Sequence, residues 1–207
     1  MNNKELIKEI IYFFFRELQD NYVVIKLKNN FPNLLEGDDI DIFIKNSSEN
    51  IIEKLIIEIK SLYKITCNKK YISEYQTQLV FYKKNKELVL FDLYKSLPDY
   101  KVINIKKKYF NICIKNSINK KFTFNDKKIN LKVLSRYDDY FIRYIEYFEY
   151  FWTGNEKSWH LELIMKNLNM DEYEQFYKYI SYFIELPIIA EKKYTKILYY
   201  YKKRLYL

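Results

Sequence analysis

The sequence predicts an α/β fold in which a small mixed sheet with flanking helices is followed by a C-terminal helical bundle. Apolar residues recur at helical spacing over residues 3–19 and again over 49–63. Short segments that follow each of these helices, above all residues 39–44, alternate apolar and polar positions as strands do. From residue 135 onward the hydrophobic period becomes helical, which indicates a second, helical part of the chain.

The first predicted strand, residues 22–28, places Val23, Ile25 and Leu27 on the core side and leaves Lys26 and Lys28 together on the other side. A loop over residues 29–38 contains Pro32 and Gly37, which commonly interrupt regular structure. The second strand covers residues 39–44. Residues 46–48 then offer an N-cap for the helix over 49–63.

The clearest hairpin joins residues 76–82 to 88–94 across a polar turn. Further strands are predicted at 109–115, 121–124 and 129–134. The predicted helices of the C-terminal part cover residues 137–153, 157–168, 171–185 and 187–205. We therefore divide the chain into an α/β domain, residues 1–134, and a helical domain, residues 135–207.

Composition assigns the chain to the globular class. Hydrophobic residues make up 49% and charged residues 30% of the 207 positions, which is close to an ordinary folded domain and unlike a disordered chain. The N-terminus lacks the pattern of a signal peptide, and no apolar run reaches the length of about 18 residues that a membrane span needs. Cys67 and Cys113 lie far apart in strand-like stretches, which favours free thiols in a reducing cytoplasm over a zinc site.

The net charge of +9 suits an anionic partner such as a nucleotide, a nucleic acid, a phosphosugar or a membrane surface. The lysine pairs and triplets are dispersed along the chain. A spread of solvated lysines therefore explains the same charge without a partner.

The segment Asp39-Ile40-Asp41-Ile42 is the most informative one for chemistry. Alternation in a strand puts Asp39 and Asp41 on one face and the isoleucines in the core. Two neighbouring carboxylates repel each other and need a compensating cation. Hard oxygen ligands of this kind suit Mg²⁺ or Mn²⁺.

Asp92 is a lone acid inside the apolar strand Leu88–Tyr94, where an unpaired carboxylate is costly. If this strand lies beside residues 39–44, three carboxylates converge into a site of the kind that holds metal ions for phosphoryl or nucleotidyl transfer. Two plainer readings stay open at this point. The paired acids suit a solvated turn with capping duties, and Asp92 suits an ion pair with a structural lysine.

The order helix, strand, loop, Asp-Asp-Ile-Asp-Ile-Phe-Ile, helix, hairpin, and a strand ending Leu-Phe-Asp-Leu-Tyr resembles the nucleotidyltransferase superfamily, the fold of DNA polymerase β. Residues 22–41 resemble in particular small bacterial proteins of this type from surface-polysaccharide gene sets. The resemblance covers about residues 1–135. It implies that Asp39 and Asp41 are the paired metal ligands and that Asp92 is the third acid.

The resemblance has one important departure. The superfamily carries a Gly-Ser turn before the paired acids, where backbone N–H groups approach the triphosphate. This chain has Lys26-Leu27-Lys28-Asn29 there instead. We expect Lys26 and Lys28 to supply point charges to the phosphates, beside Gly37 on the nucleotide-binding side of the site, although surface lysines would look the same in sequence.

The function implied by the resemblance is Mg²⁺- or Mn²⁺-dependent transfer of a nucleoside monophosphate from an NTP to an acceptor hydroxyl or phosphate on a phosphosugar, glycan precursor or RNA. Asp92 would act on the acceptor. The alternatives are a catalytically degenerate member that binds nucleotide or nucleic acid or serves as an interaction module, and a transferase of the same fold with another phosphate donor. His160, the single histidine, is expected in a helix, at its surface, in packing, or at substrate.

Overall fold

A seven-stranded mixed sheet organises residues 22–133. The structure is a computed structural model that describes residues 1–28, 30–98, 100, 103–153 and 157–185. The strands within these residues are Tyr22–Ile25 (β1), Asp38–Ile44 (β2), Thr66–Tyr71 (β3), Gln76–Lys83 (β4), Lys86–Tyr94 (β5), Asn104–Ile105 (β6), Ile118–Phe124 (β7), Lys127–Val133 (β8) and Ile184–Glu185 (β9). The sheet has the order β3-β4-β5-β2-β1-β8-β7, and β6 pairs separately with β9.

Six α-helices lie within the described residues: Asn3–Leu18 (α1), Glu49–Tyr63 (α2), Lys108–Lys115 (α3), Arg136–Thr153 (α4), Ser158–Asn167 (α5) and Met170–Phe183 (α6). The α/β class with a mixed sheet is thereby confirmed. Each predicted helix through residue 185 is present with ends shifted by a few residues at most. The predicted helix over 187–205 lies outside the described residues.

The main core lies between one face of the sheet and helices α1 and α2. Asn2 caps α1 in a capping box with Glu5, which fixes where the helix begins. The buried stripe of α1 packs onto the sheet, and the ring of Phe14 stacks on Phe91 of β5 with centroids 4.2 Å apart. Ile40, Ile42 and Ile44 of β2 join this core.

The predicted facing of residues 22–28 is wrong for Val23 and Ile25, whereas Leu27 packs against the main core as predicted. Tyr22 and Val24, not Val23 and Ile25, join the core with α1 and α2. All four residues of the strand are buried. Because the apolar run is unbroken, the sequence does not indicate which side chains point toward α1 and α2. The strand also ends at Ile25, because Lys26 adopts a positive φ of 48°.

Two further predictions are corrected. Residues 109–115 form helix α3 rather than a strand, so that Cys113 is helical. Their aromatic and isoleucine content favours a strand, yet Tyr109 and Cys113 are fully buried at the i, i+4 spacing of a helix. Ser48 makes no capping bond to α2, and its hydroxyl lies 3.4 Å from the carbonyl oxygen of Asn21.

Contacts divide the chain into two compact units. The first is Met1–Pro98 with Phe110–Asp139, and the second is Asp99–Tyr109 with Tyr140–Leu207. The division predicted after residue 134 lies close to the one after Asp139, but the prediction kept residues 99–109 with the sheet. In the second unit, Phe141 of α4 packs edge-on against Tyr179 and Phe183 of α6. Every helix among the described residues is too short or too polar to cross a bilayer.

Gly37 forms the turn that leads into β2. Its φ is +80°, and its N–H donates to the carbonyl of Leu88 at 3.2 Å, which ties the start of β2 to β5. A Cβ at this position would meet only Glu87 Oε1, at 3.7 Å, so there is room for a methyl group. The constraint on this position is therefore conformational.

We expect Gly37→Ala to lower the free energy of unfolding by about 1–2 kcal/mol, because an L-residue is strained at this φ. Urea unfolding followed by circular dichroism measures the change. Leu35→Ala is the matched control, since Leu35 is 68% exposed in the same loop. An equal effect of both variants would contradict a conformational role for Gly37.

Candidate metal centre

Strands β2 and β5 bring three aspartates onto one face of the sheet. The two strands are parallel and adjacent, and Asp41 is the register partner of Asp92. Asp39 precedes Asp41 by two residues and therefore shares its face, away from the isoleucine core. The condition for three converging carboxylates, that the strand of Asp92 lies beside residues 39–44, is met.

The three carboxylates form a compact cluster. One ligand oxygen from each of Asp39, Asp41 and Asp92 lies within 4.8 Å of the others. The side chain of Asp39 is 45% exposed and that of Asp41 12%, whereas Asp92 is buried at 9%. The cluster is thus open on the side of Asp39 and closed on the side of Asp92.

Two lysines neutralise the paired acids. The Lys26 ammonium lies 2.8 Å from Asp41 Oδ2, and the Lys28 ammonium lies 2.6 Å from Asp39 Oδ1. Lys28 also binds Asp38 Oδ1 at 2.9 Å. The positive charge that two neighbouring carboxylates need is therefore supplied by the chain itself. It comes from Lys26 and Lys28, the two lysines that the sequence analysis expected to contact phosphates.

The lysines reach the acids because β1 runs antiparallel to β2. Ile25 is the register partner of Asp41, so the chain that leaves β1 at Lys26 passes beside the paired acids. Register partners share a face, which puts Val23 and Ile25 on the same side as Asp41 and Phe43. The reversed facing of β1 thus places two buried aliphatic side chains on the face of the sheet that carries the acids.

Asp92 is held by two glutamines that the sequence analysis missed. Gln76 Nε2 and Gln78 Nε2 on β4 donate to Asp92 Oδ1 at 3.0 and 3.2 Å. Gln78 is the register partner of Asp92. The alternative of an Asp92–lysine pair has no counterpart among the salt bridges of the described residues. The sequence does contain a signal for these glutamines. Two amide side chains at positions i and i+2 of an apolar strand lie on the same face and indicate a polar site there.

Asp38 extends the ion-pair network beyond the three metal-ligand candidates. Burial alone would raise the pKa of Asp38, but the N–H of Leu35 and the Lys28 ammonium together lower it below its ordinary value of 3.8. Burial likewise opposes the charge of Lys28, while its bonds to Asp39 and Asp38 raise the Lys28 pKa above 10.5. Both shifts favour the charged pair.

Two other candidates, Gly37 and His160, contribute no ligand atom to this cluster. The N–H of Gly37 is engaged by Leu88, so its assignment to nucleotide binding stays a prediction. His160 is buried in the second unit, with Nε2 at 3.3 Å from Glu146 Oε2 and Nδ1 at 3.5 Å from Arg143. Packing, one of the expectations for this histidine, is thereby confirmed.

The cysteines offer no activated nucleophile. Burial raises the pKa of Cys67 to about 11, and burial raises that of Cys113 further. Both residues are free thiols. Since the thiolate is the reactive form, neither side chain suits nucleophilic chemistry at neutral pH.

Comparisons of the chain with protein-family models, with curated proteins and with solved structures found no match. The chemistry of the cluster therefore follows from its own side chains. Three carboxylates, with a buried member fixed by amides and an open member at the rim, form a set of hard oxygen donors. Such a set could hold a metal ion.

We expect Lys28→Gln to lower stability at neutral pH by less than about 1 kcal/mol, because the pair is partly exposed and screened. The lowered pKa of Asp38 means that its contribution is present above 3.8 and is lost as the pH falls through its folded pKa. The raised pKa of Lys28 means that its contribution is present below 10.5 and is lost as the pH rises through its folded pKa. The difference between wild type and variant should therefore vanish at both extremes.

Urea unfolding at a series of pH values, from below 3.8 to above 10.5, measures the difference in free energy of unfolding between wild type and Lys28→Gln. Lys54→Gln is the control, since Lys54 is exposed on α2 and makes no salt bridge among the described residues. A wild-type advantage that persists unchanged below pH 3.8 would show that Lys28 stabilises the chain through packing and not through these carboxylates.

Proposed function

We propose that this chain is a metal-dependent nucleotidyltransferase that moves a nucleoside monophosphate from an NTP to an acceptor hydroxyl or phosphate. The observation that carries the proposal is the cluster of Asp39, Asp41 and Asp92, whose ligand oxygens lie within 4.8 Å on two adjacent parallel strands. The acceptor classes that we propose are a phosphosugar, a glycan precursor or RNA. Such a reaction needs a site that gathers negative charge around a transferring phosphoryl group.

Asp39 and Asp41 would hold Mg²⁺ or Mn²⁺ together with Asp92. The bound ion would supply neutralisation of the charge that develops on the phosphate oxygens. Asp92 has one oxygen committed to Gln76 and Gln78, which fixes the plane of its carboxylate. Its other oxygen would orient the acceptor hydroxyl and accept its proton, in the role of a general base.

Lys26 and Lys28 would leave the aspartates when a divalent ion and an NTP bind. In this structure their ammonium groups lie on Asp41 and Asp39. A divalent ion on the same carboxylates repels both ammonium groups, and an arriving triphosphate attracts them. The two lysines would then bind phosphate oxygens from the segment where the resembling family has its Gly-Ser turn.

The alternative is a degenerate member of the fold that binds a nucleotide or nucleic acid, or serves as an interaction module, without catalysis. The same ion pairs favour it, because the lysines already neutralise the acids that catalysis would need for metal. The two functions differ in one measurable property. The enzyme needs divalent ions to hold its NTP, and the degenerate protein does not.

We expect wild-type protein to bind one or more NTPs only when Mg²⁺ or Mn²⁺ is present, and the Asp39→Asn/Asp41→Asn variant to lose this binding. Removing two ligands from a carboxylate site leaves the ion without most of its charge compensation. Calorimetric titration with each of the four NTPs, with metal and with EDTA, measures the effect and identifies the donor. Release of pyrophosphate in the presence of candidate acceptors then tests transfer.

Asp126→Asn/Asp171→Asn is the matched control, because both acids are exposed and neither belongs to the cluster. NTP binding that is equal with and without metal, and equal in the cluster variant, would support the degenerate protein instead. Absence of both metal and NTP binding in wild type would overturn the proposed function.

A further inference from the structure

A second polar site lies at the other end of β2, in a cleft of about 670 Å³. Four lysines line it: Lys45 after β2, Lys95 after β5, Lys115 at the end of α3 and Lys132 in β8. They come from four different elements of the fold and converge on one concavity. The fold thus brings together four lysines that are far apart in the sequence.

The cleft carries an excess of positive charge. Lys132 pairs with Asp20 at 2.8 Å, and Lys95 pairs with Glu49. Among the described residues, Lys45 and Lys115 make no salt bridge. Four ammonium groups against two carboxylates leave two positive charges in excess. Both carboxylates are themselves more than half exposed, at 81% and 55%, so an incoming anion can displace them.

The remaining lining suits a small molecule. Asn111 and Asn119 also line the cleft, and their side-chain amides make no hydrogen bond within the described residues. Ser117 is committed elsewhere, since its hydroxyl donates to the carbonyl of Ile114 at 2.8 Å. Phe110 and Ile114 add an apolar wall against which an uncharged portion of a ligand can pack.

The cleft is separate from the carboxylate cluster. Lys45 follows Asp41 by four residues, which is about 13 Å along an extended strand. Phe43 lies between them, and its ring packs against Phe110 with centroids 4.9 Å apart. Binding in this cleft therefore needs neither the aspartates nor a metal ion.

We propose that this cleft binds the phosphate group of a small phosphorylated molecule. A phosphate monoester carries a charge of about −1.5 to −2 at neutral pH, which matches the excess charge of the cleft. The volume falls in the range of roughly 300–1,000 Å³ that small-molecule sites occupy. A nucleic acid would instead require a basic stripe along an extended surface.

The test uses inorganic pyrophosphate as the probe, titrated calorimetrically in EDTA so that the carboxylate cluster stays free of metal. We expect wild type to bind and Lys45→Gln/Lys115→Gln to bind about tenfold more weakly or worse, because each lost ammonium removes a charge-assisted hydrogen bond. Lys54→Gln/Lys70→Gln removes two exposed lysines elsewhere, and its affinity should change by less than about twofold. Circular dichroism establishes that each variant is folded.

Three results would overturn the proposal. Wild type does not bind pyrophosphate, or the control pair weakens binding as much as the cleft pair, or a single-stranded oligothymidylate binds more tightly than pyrophosphate and depends on Lys45 and Lys115. Failure of the cleft site and failure of the proposed nucleotidyl transfer are distinguishable in wild type itself. The loss of pyrophosphate binding in EDTA on changing Lys45 and Lys115 tests the cleft, whereas metal-dependent NTP binding tests the carboxylate cluster.

Discussion

The pairing of β2 with β5 is the constraint on which the candidate site depends. Parallel register sets Asp41 opposite Asp92, and the two-residue period of a strand adds Asp39 to the same face. A slip of one residue would turn Asp39 and Asp41 into the isoleucine core, at a large desolvation cost. The buried Ile40, Ile42 and Ile44 therefore hold the acids in place from the opposite face.

The charges of the three carboxylates are offset by neighbouring side chains. Three carboxylates in one cluster repel each other, and the structure offsets them with Lys26, Lys28 and the amides of Gln76 and Gln78. Asp92 receives neutral donors, while Asp39 and Asp41 receive cations. Neutral donors hold the Asp92 carboxylate without burying a further ionised group beside it.

The sequence predicted the phase of β2 because its isoleucines alternate with acids, and it predicted the hairpin because the turn at Lys84-Asn85 interrupts two apolar runs. It failed for β1, which is buried on both faces and so shows no alternation. It failed for α3, where burial of Tyr109 and Cys113 outweighs strand-forming composition. The pairing of Lys26 and Lys28 with the aspartates depends on the register between β1 and β2. The basic cleft depends on four elements that are distant in sequence. A local sequence pattern contains neither kind of information.

The internal ion pairs of Lys26 and Lys28 have a consequence for how the protein is made. Chains whose metal ligands lack internal counter-charges are often unfolded until the ion arrives, so that metal supply limits their maturation. Here the ammonium groups of Lys26 and Lys28 offset the paired carboxylates within the folded chain. If the cluster holds a divalent ion as proposed, folding would not require that ion, and the ion would exchange with a chain that is already folded.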